Sequence, residues 1–178
     1  MSTLKVDSIL DTSGNDTVAG KILQVQYTQY DTRSSQSISA TTVTALDNMS
    51  VTITPSSTSS KILLIAQWSG EFSNNNVAYE SMFSFLRNST YLGATTSSKN
   101  YGIMPAAISY WNFDANSTLE SCSWKYIDSP ATTSQITYYG AINSQMAHTL
   151  YHNRNVNNTD STTYEHGVSS IIAMEIAG

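Results

Sequence analysis

Cysteine, charge, proline, glycine and long apolar runs are all scarce in this chain of 178 residues. The single cysteine, Cys122, has no partner for an internal disulfide and cannot alone supply a cysteine metal site. No apolar stretch approaches the ~20 residues of a membrane-crossing helix, the longest being Ile62 to Ala66, so membrane insertion is not expected. The opening residues lack a basic-plus-apolar signal pattern, which predicts a chain that is not Sec-exported. Lys and Arg number 8 against 13 Asp and Glu and form no cluster, so the electrostatic footprint of a nucleic-acid binder is missing. Charged residues make up 12% of the chain, about half the ~25% usual in soluble domains.

What stands in place of charge is a large stock of small neutral polar residues: 29 Ser, 22 Thr and 14 Asn, over a third of the sequence. Their short side chains compete for backbone hydrogen bonds and so disfavour helix interiors, while Thr, Val, Ile and Tyr suit a pleated surface. The composition therefore predicts an all-β protein. Its length suits one domain with a short appendage.

Period-two alternation supports this along most of the chain. Leu23, Val25 and Tyr27 alternate with Gln24, Gln26 and Thr28. An edge strand is expected around Ile38 to Val43, and Met49 to Thr54 alternates up to Pro55, which has no N–H to continue a ladder. Lys61 to Ser69 is apolar on both faces and reads as a central strand covered on each side. Val77 to Arg87 reads as one strand with Tyr79, Phe83 and Phe85 on a common face, followed by a hairpin return at Tyr91-Leu92-Gly93. Residues 94–104 read as loop and Ala106 to Phe113 as strand. Cys122, Trp124 and Tyr126 then alternate with their neighbours, as do Ile136, Tyr138 and Ile142. The terminal Val168 to Ala177 puts Ile172, Met174 and Ile176 on one face; it is too apolar for an open edge and must be paired centrally or buried between subunits. Regular short strands of this kind predict a jelly-roll β-sandwich at 21–178, with the hydroxyl and amide residues on outer sheet faces and in turns. Residues 1–20 carry too few apolar side chains to fold alone and read as an arm that docks elsewhere or as a strand shared between chains.

No catalytic constellation stands out. No serine lies in a Gly-x-Ser-x-Gly elbow, and Glu71, Glu80, Asp114, Glu120 and Asp128 form no paired-carboxylate motif, so no enzyme activity and no cofactor are expected. His148 and His152 are four apart, with His166 further on; in a strand that spacing spans ~13 Å, too far for one ion within one chain. These histidines read as exposed loop residues, the alternative being one imidazole per chain meeting on a symmetry axis around a metal. Trp68 and Trp124 fall at inward strand positions. Tyr101, Tyr110, Trp111, Tyr151 and Tyr164 lie in or beside loops among Asn, Ser and Asp, the mixture that recognition surfaces use, and are candidate receptor contacts.

Four segments carry a resemblance. The opening Met1-Ser2-Thr3-Leu4-Lys5-Val6-Asp7, leading into Thr12-Ser13-Gly14-Asn15, and the run Thr52-Ile53-Thr54-Pro55-Ser56-Ser57-Thr58-Ser59-Ser60-Lys61-Ile62-Leu63-Leu64 resemble segments of bacteriophage virion fibre proteins, especially those of marine phages. Phe85-Leu86-Arg87-Asn88 with Tyr91-Leu92-Gly93, and Ser170 to Ile176, fit the same pattern more generically. The resemblance implies a homotrimeric fibre or spike at the virion surface. Its N-terminal arm, through Leu4, Lys5, Val6, Asp7, Ile9 and Leu10, would attach to other virion proteins of capsid or tail. A head similar to the tumour-necrosis-factor-like trimeric sandwich would contact a host-surface glycan or protein, or decorate the particle. Ile172, Met174 and Ile176 become the expected trimer contacts. The chain departs from long fibres in having no heptad or β-helical shaft. The other reading of the same residues is a carbohydrate-binding module that grips a cell-surface glycan through its loop aromatics.

Overall fold

The computed structural model describes residues 20–73, 75–93, 101–106, 117–157 and 164–178. Its elements are β1 (Ile22–Tyr30), β2 (Ser34–Ile38), β3 (Thr44–Ile53), β4 (Lys61–Phe72), α1 (Asn75–Tyr79), β5 (Ser81–Arg87), β6 (Thr90–Leu92), β7 (Met104–Pro105), β8 (Glu120–Asp128), β9 (Ile136–Ser144), β10 (His148–His152) and β11 (Ser169–Ile176). The protein is all-β, with two antiparallel sheets. One runs β1-β11-β4-β10-β2 with β8 also on β4, and the other runs β3-β9-β5-β6 with β7 also on β5. Beside β4, the strands β11 and β10 share one flank, β11 pairing with Lys61 to Gln67 and β10 with Gly70 to Phe72, and β8 runs along the other from Ile62 to Gly70. Of the principal strands β1, β3, β4, β5, β6, β8, β9 and β11, the first pairs with the last, and each following pair nests inside, down to the β5–β6 hairpin.

The sheets meet through large side chains at alternating inward positions. Trp124 of β8 lies 4.8 Å from Phe83 and 5.6 Å from Phe85 of β5, and Trp68 of β4 lies 5.4 Å from both Phe72 and Phe83, measured between ring centroids. Both indoles are buried and both have acceptors: Trp124 Nε1 donates to the Ser84 carbonyl at 2.8 Å and Trp68 Nε1 to His152 Nδ1 at 3.1 Å. An aromatic core of this kind gains roughly 2–3 kcal/mol per buried side chain from water exclusion, and the satisfied N–H groups keep that gain from being cancelled. At one end Asp128 of β8 takes two bonds from Arg87 Nη1 and one from the Tyr138 hydroxyl, tying the sheets together where the apolar core runs out.

The all-β expectation holds, and β4, β8, β9 and β11 fall where their alternation puts them; β11 is internal, between β1 and β4. Other expectations need correction. Val77 to Arg87 is not one strand: α1 buries Val77 and Ala78 while Tyr79 stays 51% exposed, and the turn ends where the Glu80 N–H and the Ser81 hydroxyl both bond the Val77 carbonyl. The edge strand lies at Ser34–Ile38, because Thr41 adopts φ 57° and turns the chain. β3 begins at Thr44 and passes a register shift between Ala45 and Ser50, where Asn48 takes φ 60°. Met104 belongs to a short strand, and Ala106 lies just beyond it; the rest of the expected strand to Phe113 falls outside the described residues. The polar residues are not all on outer faces either. In β1 the half-buried Gln24 and Thr28 turn toward the sandwich, and Val25 and Tyr27 turn away from it.

Candidate functional site

The inversion of β1 is part of a larger arrangement. Side chains directly opposite on neighbouring strands share a sheet face, so registers extend across the sheet in rows. One outward row reads Val25 (β1), Met174 (β11), Leu63 (β4), Ile127 (β8). The next reads Tyr27, Ile172, Ile65, Lys125. On one side lie Ile22, Ile176 and Lys61, with Leu23 exposed at the β1 register shift. On the other side the character changes abruptly to Gln29, Ser170, Gln67, Ser123.

Tyr27 is 74% exposed, Ile127 56% and Val25 47%, while Leu63, Ile65, Ile172, Met174 and Ile176 are half-buried by one another. With strands ~4.8 Å apart and rows ~7 Å apart, three rows over four strands cover about 400 Å². That is within the range of the largest patch on a monomer and about half of what one partner gives to a standard interface. The only charged side chains in these rows are Lys61 and Lys125. Period-two alternation located Ile172, Met174 and Ile176 together, and they do share this face. It missed Val25, Tyr27, Leu63, Ile65 and Ile127 as their companions, because alternation says which residues share a face and not which face turns inward. The one available signal was that Lys61 to Ser69 is apolar on both faces, when the described residues cover only one of them.

Behind the apolar rows, inward-facing Glu175 of β11 is completely buried. Its Oε1 accepts the Ser56 N–H at 2.7 Å, the Ser56 hydroxyl at 2.6 Å and the Ser60 hydroxyl at 2.7 Å; its Oε2 accepts Gln24 Nε2 at 2.6 Å. Burial alone would raise this carboxyl, but the bonds from Ser56, Gln24 and Ser60 outweigh it and lower it to about 2. The serine-rich turn after Pro55 is thus a carboxylate cage holding β1, β11 and the β3–β4 turn in one register.

Among the described residues, the candidate receptor aromatics Tyr101, Tyr151 and Tyr164 do not form one platform. Tyr101 packs edge-on against Tyr91 of β6 at 5.0 Å, and its carbonyl accepts from the Tyr91 hydroxyl and from Asn143 Nδ2 of β9, so it belongs to the five-stranded sheet. Tyr151 sits in β10 of the six-stranded sheet beneath the Arg154 guanidinium, 4.6 Å from its ring. Tyr164 is half-buried two residues before His166, which bridges to Arg154. Tyr110, Trp111 and the attachment residues Leu4, Lys5, Val6, Asp7, Ile9 and Leu10 lie outside the described residues.

The histidines are not uniformly exposed. His152 is fully buried, with Nδ1 on the Trp68 indole and Nε2 on Gln36 Oε1, and burial lowers it to about 4. His148 is half-buried against Phe72, with Nδ1 on the Met146 carbonyl, and burial lowers it as well. Only His166 is exposed, with Nε2 accepting from Arg33 at 3.3 Å. Among the described residues no group of three His, Cys, Asp or Glu side chains is close enough to hold a metal ion. Comparison with protein-family models gives no match, and comparison with curated proteins gives none either.

Proposed function

We propose that this chain is a structural protein of the bacteriophage virion, of the fibre or spike kind, in which residues 1–20 attach to capsid or tail proteins and residues 21–178 form a homotrimeric head at the virion surface for host contact or particle decoration. The observation that carries this reading is the apolar outward face of β1, β11, β4 and β8. A soluble subunit with so few charges gains nothing from keeping Val25, Tyr27, Ile127 and their half-buried neighbours in water, and a contact between copies removes that cost. The nested pairing of the principal strands, first with last and so inward, matches a jelly roll, in keeping with a head similar to tumour-necrosis-factor-like sandwiches. Three copies suit the patch better than two. About 400 Å² per partner is too little for a stable dimer, whereas around a three-fold axis each subunit touches two neighbours and the flanks of the face join the contact. No chemical step belongs to this reading.

The test is the mass of the full chain at micromolar concentration, by sedimentation or native mass spectrometry, alongside Ile172→Glu. A trimer that the substitution converts to folded monomer is the expected result. A monomeric wild-type chain overturns the reading.

A further inference from the structure

The hydrogen bonds at His152 fix its chemistry without ambiguity. An indole N–H only donates, so the bond from Trp68 Nε1 at 3.1 Å requires Nδ1 to be unprotonated. The ring proton therefore sits on Nε2 and is donated to Gln36 Oε1 at 3.1 Å. That same Gln36 oxygen accepts the Asp47 N–H at 3.0 Å, and Gln36 Nε2 donates to the Ala45 carbonyl at 2.7 Å. One buried imidazole thus links β4 to the edge strand β2, and through Gln36 to the first residues of β3 in the opposite sheet. Besides its ladder to β10, the Tyr30 hydroxyl on Ser34 and the buried Ile38, this link fastens β2 across the sandwich.

We propose that the His152–Gln36 pair is an acid-sensitive latch: protonating His152 Nδ1 sets one N–H against another at Trp68, and the flank made of β2 and the start of β3 opens while the rest of the sandwich stays closed. The side chains that the ring bonds or stacks on carry no negative charge, while the buried Glu120 of β8 shares its inward row across Gly70. Tyr30 of β1 meets the ring edge-on at 6.4 Å and spends its hydroxyl on Ser34. From β4 comes Trp68; Glu71 alternates to the opposite face, where its Oε2 accepts the Val156 N–H. From β2 comes Gln36, and from β3 the backbone of Asp47, whose side chain is exposed. On β10 itself His148 shares the inward face and Arg154 follows the strand, stacked on Tyr151. Asp31 and Arg33, just before β2, are exposed. Opening would uncover Ile38 and Leu46, both 2% exposed when closed.

This latch lies at the Gly70–Phe72 end of β4, away from the apolar rows at Leu63 and Ile65, so it stands whether or not the chain trimerises. Hydrogen exchange of the full chain at pH 7 and pH 4, corrected for intrinsic rates, is the test. Amides of residues 34–38 and 44–47 are expected to exchange at least about tenfold faster at pH 4, those of β9 and β11 to keep their protection, and His152→Gln to abolish the difference. Equal protection of β2 at both pH values, loss of protection in all strands together, or a pH dependence that survives His152→Gln overturns the proposal. Should that variant not fold, ring NMR of the wild-type chain decides: the His152 ring must pass from the Nε2–H tautomer to imidazolium in step with the loss of β2 protection. A ring that stays neutral while β2 opens overturns it. A particle mass unchanged between the two pH values is expected, and dissociation at pH 4 in step with β2 opening overturns the confinement to this flank.

Discussion

Ser56 gives both its backbone N–H and its hydroxyl to one oxygen of Glu175, at 2.7 and 2.6 Å, across 119 positions of sequence. The serine-rich turn after Pro55 and the terminal strand therefore meet at a single buried carboxylate. Repeated serines at the turn have a specific use: Ser56 and Ser60 solvate an anion that water cannot reach.

Removing one of those donors should be costly. Ser56→Ala is expected to lower stability by about 1.5–3 kcal/mol, the range for a hydrogen bond to a charged group, read by thermal or denaturant unfolding. The pH dependence follows from the lowered Glu175 carboxyl: the unfolded chain holds its proton up to about 4.5, the folded chain only to about 2. The stabilisation is thus fully present above pH 4.5 and is lost as pH falls toward 2. Ser56→Ala should move the acid-unfolding midpoint upward, and an unchanged midpoint would mean that the cage does not hold the charge.

Tyr27 separates folding from assembly. It is 74% exposed in the subunit, so Tyr27→Ser should change subunit stability by no more than about 0.5 kcal/mol. In a trimer built on the apolar rows the same change should weaken association by about tenfold or more, as loss of an aromatic anchor does. Dilution sedimentation, paired with denaturant unfolding, reads both numbers. Equal association of wild type and variant would remove Tyr27 from the contact.

Gly70 marks where β4 is most crowded. A Cβ there would lie 1.9 Å from the Tyr151 carbonyl oxygen and 2.5 Å from the Trp68 ring, and neither the β10 backbone nor the buried indole can move aside. Gly70→Ala should therefore destabilise by at least about 3 kcal/mol, at the upper end of overpacking penalties, which denaturant titration would show.

The strands that the sequence makes legible are those whose inward residues are large and whose neighbours are small and polar: Cys122, Trp124 and Tyr126 in β8, and Ile136, Tyr138 and Ile142 in β9. Val77 to Arg87 misleads because its apolar residues satisfy period two without a break, and the turn at Ser81 depends on a side-chain bond to Val77 that composition does not signal. The apolar face was half legible. Ile172, Met174 and Ile176 follow from alternation within one strand, but their companions come from β1, β4 and β8 through registers that span the chain. The sequence alone points to an exposed His152, because histidine in polar sequence usually is; the partners that make it a core residue, Trp68 and Gln36, are 84 and 116 positions away.

The rows from Val25 to Ile127 and from Tyr27 to Lys125 contain a single cation and no anion. A contact built on them takes almost nothing from Coulomb attraction, so mobile ions have little to screen, and excluded salts such as sulfate would tighten it. An assembly joined this way keeps nearly the same strength in dilute buffer and in brine.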